Sequence, residues 1–468
     1  MEQPARHDHL EKFVDRMTAA GLPDAAIAAF RLHYRRLATG DLGTLGRDRI
    51  DPVAELPDTA SIDGAEPPRG AVERAVVIKL NGGLGTSMGL ERAKSLIEVR
   101  RGATFLDLIA RQVLGFRRRH GSHTPLLLMN SFRTAEDSAA ALADHPGLAV
   151  DDLPLGFSQH RVPKILADDL SPARWPDDPE LEWCPPGHGD VYTALVTSGL
   201  LDELLDRGFE VAFISNSDNL GAVLDVDLLG HMVGSGADFM MEVADRTPAD
   251  RKGGHLARLK DGRLVLRESA QCPPDERDEF QDIDRYRYFN TNNIWVSLPG
   301  LAELLDRHGG VLPLDTIVNR KTVDPRDPSS PDVIQLETAM GAAISLFDHA
   351  VAVRVPRTRF SPVKNTDDLL GVRSDAYRLT GDARVVLADE RRSPPTITLD
   401  REHFKLLDDF ERRFPAGPPS LVRCRTFEVV GNVTFGAGVT VEGDVTVRGG
   451  ERPSRIPDGA VLRSEHRA

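Results

Sequence analysis

The run Val76-Val77-Ile78-Lys79-Leu80-Asn81-Gly82-Gly83-Leu84-Gly85-Thr86-Ser87-Met88-Gly89 decides how this chain is read. Val-Val-Ile is the short β-branched run expected of a strand buried on both faces of a parallel sheet. The loop after it is built on glycines, whose missing Cβ atoms let backbone N–H groups approach an anion closely. Such loops grip phosphates at the carboxyl edge of α/β sheets. The two common nucleotide patterns are both absent: Gly89 is followed by Leu90 instead of Lys-Ser/Thr, and a Gly-x-Gly-x-x-Gly starting at Gly83 meets Met88 in its last place. A phosphate site and a tight turn are both open on these mechanics alone.

Outward from this strand, residues 75 to 355 alternate short apolar runs with helical patterns. Pro125–Met129 and Val211–Ile214 read as strands, Phe105–Arg118 and Asp190–Leu205 as helices. The alternation implies βαβ units, hence an α/β fold with a largely parallel sheet and helices on both faces. Before it, Leu10, Phe13, Val14 and Met17, then Ala26, Ile27, Phe30 and Tyr34, mark two amphipathic helices separated by Gly21-Leu22-Pro23-Asp24. Residues 40–70 read as an irregular surface connection. Phe427, Val433, Val439 and Val445 recur every six residues with glycines between them, the signature of a short β-helix, a glycine-rich meander being the alternative. Its exposed ladder edges would invite a second copy. The expected division is an N-terminal helical segment over 1–74, a catalytic domain over 75–385 and a C-terminal domain over 386–468.

A formal net charge of −14 argues against a nucleic-acid or anionic-membrane partner. Cys184, Cys272 and Cys424 are widely spaced without metal-ligand spacing, as in a reducing compartment. No apolar run is long enough to span a membrane, and Met-Glu-Gln-Pro-Ala-Arg has no hydrophobic leader core, so the expectation is cytoplasmic.

Further clusters carry candidate chemistry. Gly187 and Gly189 in Pro185-Pro186-Gly187-His188-Gly189-Asp190 precede a helix, so N–H groups converge there. A strand running into Ser215-Asn216-Ser217-Asp218-Asn219 places a carboxylate at the strand's carboxyl end, where Mg²⁺ could bind with substrate phosphates; an Asx-turn or cap would look the same. Phe157-Ser158-Gln159-His160-Arg161-Val162-Pro163-Lys164 is on its own unremarkable loop sequence. The asparagines of Phe289-Asn290-Thr291-Asn292-Asn293 are poor strand formers and need a use, in a site or in turns. Lys364, hemmed by Pro362 and Val363, stands apart from the surrounding basic run.

With Lys94-Ser95-Leu96 following it, the glycine segment resembles the signature loop of the eukaryotic-type UDP-glucose pyrophosphorylases, the UTP–glucose-1-phosphate uridylyltransferases. The clusters above follow the same family, and the resemblance covers residues 75–377 nearly continuously. It implies a nucleotidyltransferase fold of GT-A-like type with a C-terminal left-handed β-helix. The implied reaction makes UDP-glucose and pyrophosphate from UTP and glucose 1-phosphate, with Mg²⁺ as cofactor. Leu80, Asn81, Gly82, Gly83, Lys94, Gln159, Gly187, Asp218, Asn219 and Lys364 would then hold the nucleotide. Gly83, His188, Asn290 and Asn292 would hold the sugar phosphate, Asp218 the metal, and Lys364 with Lys94 the transition-state charge.

Leu90, Glu91, Arg92 and Ala93 stand where the family tends to have Cys-x-Gly-Pro, a change expected to alter the stiffness of the loop bearing Lys94 and to let Glu91 repel the triphosphate unless Arg92 offsets it. A sister enzyme acting on N-acetylglucosamine 1-phosphate would carry an Ala-Gly-Gly loop ending in Thr-Arg-Leu-Gly, which this chain lacks. A weakly catalytic nucleotide-sugar-binding regulator would have no need of Lys94, Asp218 and Lys364 together.

Overall fold

The computed structural model describes residues 9–467 except 63, 65, 101 and 451. The opening Met-Glu-Gln-Pro-Ala-Arg lies outside the described residues. At the centre is a seven-stranded sheet: β1 Ala75–Asn81, β2 Leu126–Asn130, β3 Gly156–Ser158, β4 Val211–Asn216, β5 Phe239–Asp245, β6 Tyr288–Ser297 and β7 Ala350–Arg354, in spatial order β3-β2-β1-β4-β6-β5-β7. Among the described residues β6 alone runs antiparallel to its neighbours. All seven residues of β1 are buried, as a strand covered on both faces requires. Ala75 and Val77 face one core with helices α1 Phe105–His120 and α2 Ala135–Ala143. Val76, Ile78 and Leu80 face a second core with α3 Val191–Thr197, α4 Leu200–Asp206 and α5 Leu298–Arg307. Helices therefore cover both faces of a central mixed sheet.

From β1 the chain steps outward to β2 and β3, then returns to add β4 on the other side of β1. The strand order reverses there, and in open α/β sheets the crevice at the carboxyl ends beside this switch point receives ligands. The loops opening into it follow Asn81 and Asn216.

Local chemistry sets the departures from the expected elements. The helix expected over 190–205 is two helices, because Gly199 adopts φ +75° and breaks the run. In β6 the pairing jumps from Asn293 opposite Glu242 to Asn290 opposite Val243, so Thr291 and Asn292 form a bulge. The helices Leu10–Ala19 and Asp24–Thr39 bury Phe13, Phe30 and Tyr34 against Val162, Cys184, Ile334 and Leu336.

Past the helix Thr366–Arg373, the hairpin Tyr377–Leu379 with Val385–Leu387 spans residue 385. Thr396–Leu399, Cys424–Val430, Gly443–Arg448 and His466–Arg467 then stack in parallel. Val433–Phe435 pairs in parallel with Ser454–Ile456, and Thr440–Val441 with Val461–Leu462. Phe427 lies opposite Val445, and Phe427, Val433, Val439 and Val445 are all buried in the core shared with the sheet. No helix among the described residues is long and apolar enough to cross a membrane. Cys184, Cys272 and Cys424 are free thiols.

Candidate active site

At the switch point the backbone of the glycine loop turns back on itself. Lys94 N–H donates to Gly83 O at 3.1 Å, and Met88 and Leu90 N–H both donate to Gly85 O. Gly83 is exposed with open space where a Cβ would stand, whereas a Cβ on Gly82 would lie 2.2 Å from Gln159 Nε2. The missing side chain at Gly82 thus seats the Gln159 amide beside the loop. Gln159 N–H is held by Asn130 O at 2.7 Å, and the next residue, His160, is fixed by Asp190, whose carboxylate accepts from both its N–H (2.7 Å) and Nδ1 (2.9 Å). The Gly-His-Gly-Asp cluster and the Gln159 segment are one assembly.

The replaced residues Leu90–Ala93 have a packing solution. Leu90 covers Gly85, Arg92 O accepts the Gly85 N–H, and Glu91 points outward with its side chain 92% exposed. Leu90 thus takes the inward position of this stretch, and Glu91 stands in solvent 3.9 Å from Arg326.

Lys94 Nζ contacts Asp218 Oδ2 at 2.7 Å, and both side chains are largely sequestered. The other oxygen, Asp218 Oδ1, is buried without a hydrogen-bond partner among the described residues. A buried carboxylate oxygen left without a donor is costly unless a cation completes it. The donor set fits one hard divalent ion bound through one carboxylate and substrate phosphates. Among the described residues no group of three or more His, Cys, Asp or Glu could hold a metal without substrate.

Asp218 O accepts the Val363 N–H at 3.1 Å, bringing Lys364 beside the same loop. Lys364 is exposed and its Nζ lies 5.9 Å from the Phe360 ring. Its backbone N–H is held by Asp368, which also caps the helix Thr366–Arg373 and feels the charge of both Lys94 and Lys364. Burial nevertheless dominates and raises the Asp368 carboxyl above its ordinary value.

Asn219 is 1% exposed and fully engaged. Its Nδ2 donates to Arg359 O (3.0 Å) and Asn293 Oδ1 (3.3 Å), and its Oδ1 accepts from Ser361 N (3.0 Å) and Gly221 N (3.3 Å). It clips the Lys364 segment to the Asp218 loop. Asn81 is likewise committed, donating to Asn130 Oδ1 and Ser138 Oγ at 2.7 Å each. At Gly187, φ is +83° and a Cβ would lie 2.4 Å from Thr338 O, so the close approach is to the chain itself.

His188 accepts the Met340 N–H on Nδ1 at 3.1 Å, which assigns the proton of the neutral ring to Nε2; Asn292 Nδ2, 3.5 Å away, is itself a donor, so the two make no hydrogen bond with each other. Burial lowers its pKa to about 4, so the ring is neutral at pH 7. Asn292 sits in the left-handed region at φ +62° and donates to Asn216 Oδ1, while its N–H is held by Asn290 Oδ1. Such a strained polar residue at a bulge is typical of binding sites. Leu80, the last apolar residue of β1, packs beneath this corner.

The residues missed by sequence reasoning lie under the site. Glu242, with no exposure, accepts from Arg359 Nε (2.7 Å), Trp295 Nε1 (2.9 Å) and Asn293 Nδ2 (3.0 Å). Lys79 is 2% exposed and donates to Ser215 Oγ at 2.7 Å and Ala222 O at 2.6 Å; burial brings its pKa down to about 7. The available signal was an acid or a lysine inside an otherwise apolar strand.

Comparison with known proteins adds an independent line. The family model described as UTP–glucose-1-phosphate uridylyltransferase matches residues 28–442. The enzyme of that name from Solanum tuberosum is 41% identical over 422 residues, spanning 89% of this chain and 84% of its own. That from Saccharomyces cerevisiae is 42% identical over 395 residues, spanning 84% and 78%. Among solved structures, a variant of Leishmania major UDP-glucose pyrophosphorylase in complex with UDP-glucose superposes with TM-score 0.92 at 45% identity, covering 99% of this chain and all of that one.

Proposed function

Because the chain belongs to the UTP–glucose-1-phosphate uridylyltransferase family, we propose that this site joins UTP and glucose 1-phosphate into UDP-glucose and pyrophosphate. A phosphate oxygen of the sugar phosphate attacks the α-phosphorus of UTP. The bond from that phosphorus to the bridging oxygen of the β-phosphate breaks, and pyrophosphate leaves with the bonding pair. With no covalent intermediate to form, catalysis is positioning and charge neutralisation.

The observation that carries this reading is the Lys94–Asp218 contact with its orphaned Asp218 oxygen, set against the Lys364 segment. Each partner stands in for a ligand of the other kind: the ammonium for a cation, the carboxylate for a phosphate. Entry of the triphosphate would turn Lys94 from Asp218 toward the phosphates. Asp218 would hold Mg²⁺, which supplies charge neutralisation to the phosphates. Lys364, which pairs with no carboxylate among the described residues, would meet charge developing at the α-phosphate. Gly82, Gly83 and Gln159 would take the nucleotide. The Nε2–H of His188 and the bulged Asn292, with Asn290 behind it, would orient the sugar phosphate. Asn81, Gly187 and Asn219 serve binding by holding the loops.

The parallel stacking beyond residue 396 supports a left-handed β-helix, whose end would meet a second copy; sedimentation at several concentrations tests that contact. A small-molecule enzyme with free thiols suits the cytoplasm. The direct test of function is pyrophosphate release from UTP and Mg²⁺ with glucose 1-phosphate, beside galactose and N-acetylglucosamine 1-phosphates. Release with glucose 1-phosphate well above the others is expected. Release mainly with another sugar would overturn the substrate, and none with any sugar would overturn the reaction.

A further inference from the structure

A cavity of about 260 Å³ lies on the α1 face of the sheet, away from the site above. Val77, Ile109, Val113, Phe116 and Leu224 make apolar walls, and Lys79 is also in the lining. Close-packed interiors rarely keep a void of this size, which falls just below the roughly 300–1,000 Å³ typical of ligand pockets. Its mouth is polar. Asp382 lies between two guanidiniums, 2.7 Å from Arg119 and 3.1 Å from Arg384, with His120 alongside. One carboxylate shared by two guanidiniums leaves the rim net positive. The other acid in the lining, Asp225, faces Arg359 at 3.8 Å and caps its own helix through the Asp227 and Leu228 N–H groups.

The same walls hold the catalytic loop from behind. Ala222, four residues after Asp218, lines the cavity and accepts from Lys79 Nζ at 2.6 Å. Gln112, also in the lining, donates to Leu220 O at 3.2 Å and to Ala383 O at 3.0 Å, tying the loop to the rim hairpin. We infer that this cavity is a second ligand site for a small amphipathic monoanion, an aromatic carboxylate whose ring fills the apolar interior and whose charge meets Arg384. An occupant packed on Ala222 and Leu224 stabilises the loop as it stands, with Lys94 on Asp218, and so opposes entry of the metal–nucleotide. The ligand is an inhibitor that raises the Mg²⁺ requirement. This regulatory half rests on the proposed reaction; the binding half does not.

The test uses a para-fluorinated phenylpropionate, followed by fluorine NMR on the full chain, with its neutral amide as control. Saturable binding of the acid is expected, weakened about tenfold or more in Arg384→Ala, a half-exposed side chain whose loss spares the fold. Val113→Phe, which fills the cavity, should abolish it. No binding to the wild type, or binding unchanged in both variants, would overturn the site. In parallel, the acid should raise the half-saturating Mg²⁺ for pyrophosphate release about fivefold or more, and not in Arg384→Ala. Binding without that shift, in an enzyme fully active without the acid, would overturn the regulatory half alone. Absence of turnover without the acid would instead refute the proposed reaction.

Discussion

Replacing Asn219 by alanine separates a ligand from a clip. The side chain is 1% exposed and makes four hydrogen bonds. Arg359 O keeps a second donor in Asn293 Nδ2 at 3.2 Å, but the Ser361 and Gly221 N–H groups lose their side-chain acceptor. One or two stranded donors at about 1–3 kcal/mol each predict a loss of roughly 2–4 kcal/mol in urea unfolding. The functional loss follows from position: Ser361 lies three residues before Lys364, and a shift of about 1 Å near the chemistry can cost ~10²-fold. We expect kcat for pyrophosphate release to fall about 10–100-fold with the KM for UTP changed little. Wild-type stability together with a raised KM for UTP would return Asn219 to nucleotide contact and refute the clip.

Three further outcomes follow from the site and its surroundings. Lys364→Ala should fold normally, since the side chain is exposed, and lose ~10²–10³ in turnover, read by pyrophosphate release with a matched unfolding curve; near wild-type turnover would remove it from the chemistry. Chelation of Mg²⁺ should abolish activity reversibly, and Asp218→Asn should raise the Mg²⁺ needed for half-maximal rate by an order of magnitude or more. Burial holds His33 down to about 4 and His255 to about 3, both below their unfolded values. Below pH ~6.5 the unfolded chain then takes protons the folded chain refuses, so stability falls with pH, by roughly 3 kcal/mol for His33 as pH reaches about 4. Urea midpoints from pH 7.5 to 4.5 should show this, with a shallower slope in His33→Gln.

Local patterns carried most of the architecture. The buried β-branched strand and the tight loop after it use residues whose neighbours in sequence settle their conformation. The Lys94–Asp218 contact joins two segments that the sequence marks separately, one after the glycine loop and one at a strand's carboxyl end. What could not be read were roles set by partners far along the chain. Asn219 and Asn81 look like ligands until Ser361, Arg359 and Asn130 are brought against them. Gly187 reads from sequence as open to a ligand, and Thr338 O lies where its Cβ would stand. Glu242 is silent until Arg359, 117 residues later, folds onto it. The left-handed bulge at Asn292 depends on β5 pairing across it, which no local propensity encodes.

In the proposed reaction the site only positions and neutralises, with the sugar phosphate itself attacking UTP. The stereochemical course with a single diastereomer of α-thio-UTP and glucose 1-phosphate tests it most directly. One in-line displacement predicts UDP-glucose inverted at the α-phosphorus, whereas retention would require a covalent uridylyl-enzyme and contradict the account.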